Sequence, residues 1–219
     1  MSTEKTENAL LDLMLADVAL QSDLQPVCVD LPTGPLAPDS HGPGQFVYFP
    51  VDALMTLGAV NSADAVLAVV GRHGCVAPGQ AGGSAIQSHV MVPGRAYRMD
   101  WAPVADDPVR YASWLWQTTA AAQRLIGQMA QWSFCVQHHT GPQHLASWLL
   151  HCVAQYPRDP LNFHLHALPT AIRQLLPPSD AQNGPGFDVH EGHLHVTSPQ
   201  RLAEQACSCH QKMTGAHNA

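Results

Sequence analysis

Gln128 to Leu150 reads QMAQWSFCVQHHTGPQHLASWLL, and this stretch joins the end of one helical run to the start of the next. Upstream, residues 106–138 contain no glycine or proline except Pro108 and Gly127, and Pro108 suits the first turn of a helix. Within that run Leu115, Thr119, Ala122, Ile126, Met129, Ser133 and Val136 recur at alternating steps of four and three. This is a heptad seam with small residues interspersed. A helix of that length extends about 45 Å at 1.5 Å per residue, and such a seam needs a partner. It can pack on its own domain or on the same helix of a second subunit, and we expect the second subunit.

Downstream, a helix is expected over residues 141–155, then a break at Tyr156-Pro157-Arg158-Asp159-Pro160. A short helix, Ala171 to Leu176, stops at Pro177-Pro178. Counted from Pro177, ten residues of turn-forming composition precede a hairpin, Phe187 to Val196, turning at Glu191-Gly192. Before the long helix the pattern differs. Residues 8–20 read as an amphipathic helix, and from 24 to 100 short β-type runs alternate with Gly/Pro turns. The runs are Val27-Cys28-Val29, Phe46 to Phe49, Ala65 to Val70, Val90-Met91-Val92 and Ala96 to Met99, the cadence of an antiparallel sandwich or barrel. The fold class is therefore α+β: residues 1–104 form an N-terminal helix and β-roll, 105–138 the long helix, and 139–219 a small C-terminal unit.

Composition narrows the function classes. The formal charge is −7, and only Lys5 and Lys212 among the ten basic residues are lysines. From Thr140 onward four basic residues (Arg158, Arg173, Arg201, Lys212) face five acidic ones, so counterion release would contribute little to nucleic-acid binding. No signal peptide or membrane span is visible, and no nucleophile–base pair, phosphate loop or HExxH string points to an enzyme. Six cysteines at 28, 75, 135, 152, 207 and 209 show no framework spacing, which suits a reduced, cytoplasmic protein.

Several strings resemble, at matching places, one family: the Crp/Fnr transcription regulators of bacteria, which combine a cyclic-nucleotide-binding-like β-roll with a winged helix-turn-helix. Phe46 to Asp52, FVYFPVD, is similar to the family's VYFPTD strand, Val69 to Gly74 to its VVGxEG turn, and Gly94 to Met99 to the strand closing the roll. Gln128 to Leu150 resembles QxAQxxxCNRxHSxEqRLaRWLL, where the dimer helix enters the DNA-binding domain. Cys207-Ser208-Cys209-His210 is similar to the family's terminal CECY. The resemblance covers nearly the whole chain. It implies a homodimer through residues 106–138.

The resemblance also places a ligand pocket at Gly82, Gly83, Ser84, Ser88 and His89. Nucleotide-binding members hold the cyclic phosphate with a Gly-Glu and an Arg-Ser pair. Here Ser84 replaces the glutamate and a residue near His89 the arginine, and a mostly neutral imidazole does not grip a phosphate bidentately. Cyclic-nucleotide binding is accordingly not expected. Neither is an iron–sulfur cluster, since only Cys28 lies near the N-terminus. No cofactor is assigned, the effector is open, and among fourteen histidines none stands out as a haem ligand. His164 with His166, and His193 with His195, stand at i, i+2, which on a strand puts both rings on one face; with Cys207, Cys209 and His210 they are metal-ligand candidates.

The family's recognition helix falls on Ser179 to Gly186, SDAQNGPG, where Pro185 and two glycines, after Pro177-Pro178, forbid a useful helix. No Arg or Lys lies between Arg173 and Arg201, the usual wing arginine is replaced by His193, and His144 and Ser147 stand where relatives favour arginine. Arg173 and His193 remain as candidate DNA contacts, and weak ones. Two readings follow. In the first, the chain is a Crp/Fnr-like homodimeric regulator with impaired direct DNA readout. In the second, it is a non-DNA-binding module that senses an effector or metal, or heterodimerises with an intact relative.

Overall fold

The computed structural model describes residues 5–20, 24–36, 46–59, 62–77, 86–178 and 183–215. Asn8 caps helix α1 (Ala9–Ala16): its side chain accepts from the Leu11 amide at 3.0 Å and donates to the carbonyls of Pro50 (2.7 Å) and Gly74 (3.1 Å). One buried amide thus starts the helix and ties it to the roll.

The roll consists of two antiparallel sheets. Strands β1 (Val27–Leu31), β3 (Phe46–Pro50) and β7 (Gly94–Asp100) pair in the order β1-β7-β3. Strands β2 (Gly34–Pro35), β4 (Leu54–Ala59), β5 (Ser62–Val70) and β6 (Ile86–Val92) pair as β2-β6-β4-β5. Leu31, Tyr48 and Ala96 of the first sheet meet Met55, Val70 and Val90 of the second between them. Strand alternation turns Val47 and Phe49 the other way, onto α1 and the long helix, where the Phe49 ring meets Trp114 edge-on at 6.3 Å.

After a short helix α2 (Ala102–Ala105), α3 runs from Pro108 to His138, 31 residues. It starts at Pro108 rather than 106 because the Asp107 carboxylate accepts from the Val109 and Arg110 amides. Next comes α4 (Gly141–Gln155), entered through Thr140, whose amide donates to Gln143 Oε1 at 3.1 Å. Then follow β8 (Asn162–His164), a 3-10 turn (Leu165–Ala167), α5 (Thr170–Arg173), β9 (Asn183–Gly184), β10 (Phe187–His190), β11 (His193–Val196), α6 (Pro199–Gln205) and α7 (Cys209–Gly215). The hairpin turns at Glu191 (φ 49°) and Gly192 (φ 78°), both left-handed as a two-residue turn of type I′ requires. Its sheet has the order β8-β11-β10-β9.

The roll and the C-terminal unit share one core. Leu54, Val69, Met91 and Val92 on the outer face of the second sheet pack with Leu145, Trp148, Leu149, Phe163, Ile172 and Leu194. Two further ties cross the same boundary. Asp52, 2% exposed, takes the guanidinium groups of both Arg95 and Arg158. At Gly71, a Cβ would lie 2.4 Å from the Gln155 carbonyl oxygen, which accepts the Arg72 amide at 3.2 Å. Gly71→Ala is expected to lower stability by about 1–3 kcal/mol, because backbone rather than a flexible side chain must move. A urea midpoint unchanged by the substitution would contradict this close approach. Among the described residues, no helix is long and apolar enough to cross a membrane.

Candidate functional site

Helix α3 carries two stripes. Trp114, Ala121, Gln128 and Cys135, seven residues apart, are its buried residues and face the rest of the chain. The seam lies beside them and faces outward: Leu115 (43% exposed), Ile126 (64%) and Val136 (55%) are open, as are Thr119, Ala122 and Ser133, with Met129 half-buried. Packing on its own domain is thus carried by the other stripe. Gln128 shows how that stripe works: its Oε1 accepts the Val69 amide at 2.7 Å and its Nε2 donates to the Val69 carbonyl at 3.3 Å. The side-chain amide pairs with a peptide unit of edge strand β5 and also meets His151 Nε2 of α4.

The stretch where the resemblance puts the recognition helix, Ser179 to Gly186, is described from Asn183 onward. α5 has four residues, and the chain then turns, with the Leu176 amide bonded to the Arg173 carbonyl at 3.2 Å, into Pro177-Pro178. At Asn183–Gly184 it is already strand β9, paired with Asp188 and Phe187. The four residues 179–182 lie outside the described residues. The first helix, expected over Ala171 to Leu176, is shorter than that because Leu175 and Leu176 fold in as turn residues against the shared core. α5 itself packs on β5. Arg173 donates to Thr170 Oγ1 at 3.2 Å and lines a cleft of about 340 Å³ between α5 and the roll, with His89 and Thr56 opposite.

Gly82, Gly83 and Ser84 of the expected ligand pocket lie outside the described residues. Ser88 and His89 do not share a pocket. They alternate on β6, so Ser88 is buried on the side of Val90, inside the roll, and His89 turns with Met91 toward the C-terminal unit. Burial holds the His89 imidazole below its ordinary pKa, which disfavours the cation a phosphate would need. His144 and Ser147 also point inward. Burial lowers the His144 pKa to about 4, so its ring is neutral, and it packs against Trp132 with centroids 4.2 Å apart.

Ser147 opens onto a cluster that joins two distant parts of the chain. Cys135 and His139, at the end of α3, meet Cys207, between α6 and α7, and Cys209, the first residue of α7, with their four ligand atoms all within 4.8 Å of one another. Cys135 Sγ lies 3.5 Å from Cys207 Sγ, and Cys209 Sγ 3.5 Å from His139 Nδ1. Ser147 Oγ is 3.1 Å from Cys207 Sγ and accepts the Cys207 amide at 3.2 Å, while Gln131 Nε2 donates to Cys209 Sγ at 3.0 Å. Burial pushes the Cys135 thiol up strongly. Burial also raises Cys207, but its hydrogen bonds with Ser147, the Cys209 backbone and the thiols of Cys135 and Cys209 together leave that thiol lowered.

Solved structures share this architecture. TTHB099, a CRP-family transcriptional regulator from Thermus thermophilus, superposes with a TM-score of 0.56 at 11% identity, over 82% of this chain and 95% of that one. FixK2 from Bradyrhizobium japonicum gives 0.55 at 13% identity, over 84% and 98%. TTHA1359, a CRP/FNR-family regulator also from Thermus thermophilus, gives 0.54 at 14%, over 82% and 97%. The fold is that of the CRP/FNR regulators. Neither protein-family models nor curated protein sequences give a match.

On this CRP/FNR fold the histidines and cysteines sort differently from their sequence pattern. His166 lies in the 3-10 turn rather than on a strand with His164, because β8 ends at His164. The four rings nevertheless form a row: His166 to His164 at 5.1 Å, His164 to its cross-strand partner His193 at 4.1 Å, and His193 to His195 at 5.8 Å. The rings lie tilted over one another, and two nitrogens are engaged: His193 Nδ1 with the Glu191 carbonyl (3.1 Å) and His195 Nδ1 with Asn162 Oδ1 (2.7 Å). The convergent set among the described residues is instead Cys135, His139, Cys207 and Cys209. His210 stands outside it, its Nδ1 2.9 Å from the Cys207 carbonyl oxygen. The sequence reading missed Cys135 and His139. Their signal was legible as C-x3-H on a helix, which puts both side chains on one face one turn apart.

Proposed function

We propose that the chain is a CRP/FNR-family regulator that dimerises through α3 and does not read DNA bases itself. The observation that carries the proposal is the passage from α5 to β9: a four-residue helix, two prolines and a paired strand where such a regulator needs a base-reading helix. Electrostatics point the same way, with a C-terminal unit of four basic and five acidic residues and a buried, neutral His144. The outward seam supports association with a second copy. All six cysteines are free thiols, as suits the reducing cytoplasm.

Electrophoretic mobility shift at low salt, on the DNA flanking the protein's own coding region, tests the proposal. The purified protein is expected to give no sequence-specific shift and to lose any non-specific retention as salt rises. A tight shift that survives excess competitor DNA would refute it. A second reading is favoured by one feature of α3: Arg110 and Arg124 are its only Lys, Arg, Asp or Glu residues. Without complementary flanking charges the seam has little to select self over a related helix. Pairing with an intact relative, which would then carry the DNA contact, is that reading. A gel shift of the mixture that changes with this chain's concentration tests it.

A further inference from the structure

Three thiols and an imidazole converge where α3 ends, and nothing in the dimeric-regulator reading uses them. We propose that Cys135, His139, Cys207 and Cys209 bind one soft divalent cation, zinc foremost, and that this ion clamps the C-terminal segment onto the long helix. The proposal goes beyond the regulator reading and does not depend on it.

Geometry is the first support. A tetrahedral zinc with metal–sulfur bonds of about 2.3 Å and metal–nitrogen bonds of about 2.0 Å needs ligand-to-ligand edges of roughly 3.5–3.8 Å. Two edges here are 3.5 Å, and every pair lies within 4.8 Å, so small side-chain adjustments close the site. The two ligand pairs are also local units that suit chelation. Cys135 and His139 are one helical turn apart, and Cys207 and Cys209 are separated by Ser208 alone.

The surroundings are the second support. Cys135 is 0% exposed, Cys209 1% and Cys207 6%, and Met213 and Trp132 close the site with apolar surface. Four protein ligands and no open position describe a structural site rather than a catalytic one. On binding, the three thiols release three protons to solvent while the neutral imidazole coordinates through Nδ1, so the loaded site carries one net negative charge. Donors already placed against the sulfurs answer that charge: Gln131 Nε2 to Cys209 and Ser147 Oγ to Cys207. Without the ion these donors face two buried thiols, which have little need of them.

The consequence is mechanical. α7 packs on both α3 and α4, and the ion would pin the segment at the turn of α3 that holds seam residue Val136. Metal occupancy and the register of that last turn are thereby linked.

Tag-free full-length protein, reduced, stripped with chelator and titrated with Co²⁺ and then Zn²⁺, provides the test. One equivalent of Co²⁺ should produce the visible bands of a tetrahedral site and a thiolate charge-transfer band, both abolished by one equivalent of Zn²⁺. His139→Gln and Cys209→Ser should each weaken binding by more than the 10–100-fold typical of losing an outer partner, and Ser147→Ala should fall within that range. Cys28→Ser, in an exposed strand residue, should change nothing. His139→Cys, offering a fourth thiolate, should retain one equivalent and shift the charge-transfer band, which keeps the test decisive if another variant fails to fold. Folded protein, by circular dichroism, that takes up no Co²⁺ would overturn the proposal. So would equal binding by wild type and Cys209→Ser, or a thiol count showing Cys135 and Cys207 joined as a disulfide in freshly purified protein.

Discussion

Trp148→Ala is expected to lower the stability of the whole chain by about 3–5 kcal/mol, the range for emptying an aromatic from a packed core. Trp148 is 0% exposed, lies 5.5 Å from the Phe163 ring, and belongs to a cluster that takes Leu54, Val69, Met91 and Val92 from the roll. The cavity would therefore open between the roll and the C-terminal unit, not inside either one. Urea unfolding followed by tryptophan fluorescence and by circular dichroism checks both parts of this expectation. The wild-type curves should coincide in one transition, since a shared core gives neither unit a separate one. The variant should move that transition to lower urea or split it. A loss under about 1 kcal/mol would mean that the site collapses around the cavity and that the shared core contributes less than its burial indicates.

With α3 pairing as proposed, Ile126→Glu combined with Met129→Glu is expected to give a monomer without unfolding the chain. Ile126 is 64% exposed on the isolated chain, so a carboxylate there costs the monomer little. In the paired helix the same carboxylate would sit in an apolar seam facing its own copy, where burial and like-charge repulsion add. About 3 kcal/mol of such cost raises the dissociation constant roughly a hundredfold. Light scattering behind size exclusion at micromolar concentration should give half the wild-type mass, with unchanged circular dichroism. A wild-type protein that is already monomeric, or a double variant that stays dimeric, would remove the role given to the seam.

Much of the architecture is legible in local pattern. The seam reads as period 3.5, the roll as short runs between Gly/Pro turns, and the hairpin as a Glu191-Gly192 turn flanked by alternating residues. Each rests on neighbours within a few positions, where side-chain period and turn chemistry act directly. The direction of the seam was not legible, because a face of Leu115, Ile126 and Val136 suits a core and an interface equally well. What decides it is that the parallel stripe of Trp114, Ala121, Gln128 and Cys135 already occupies the roll and the C-terminal unit.

The candidate sites divide along the same line. Pairing Ser88 with His89 in one pocket ignored the strand period, which sends them to opposite faces of β6. Grouping His210 with Cys207 and Cys209 relied on nearness in sequence, and the start of α7 turns its ring back onto the Cys207 carbonyl.

By itself the sequence sets the expectation that no base-reading helix follows Arg173. Pro177, Pro178 and Pro185 lack the amide a helix needs, and no tertiary contact restores it. Tertiary structure alone decided that Cys135 and His139 meet Cys207 and Cys209. That meeting depends on α4 and α6 packing tightly enough to fold the chain's end back along α3, and packing of this kind is a property of surfaces, not of spacing.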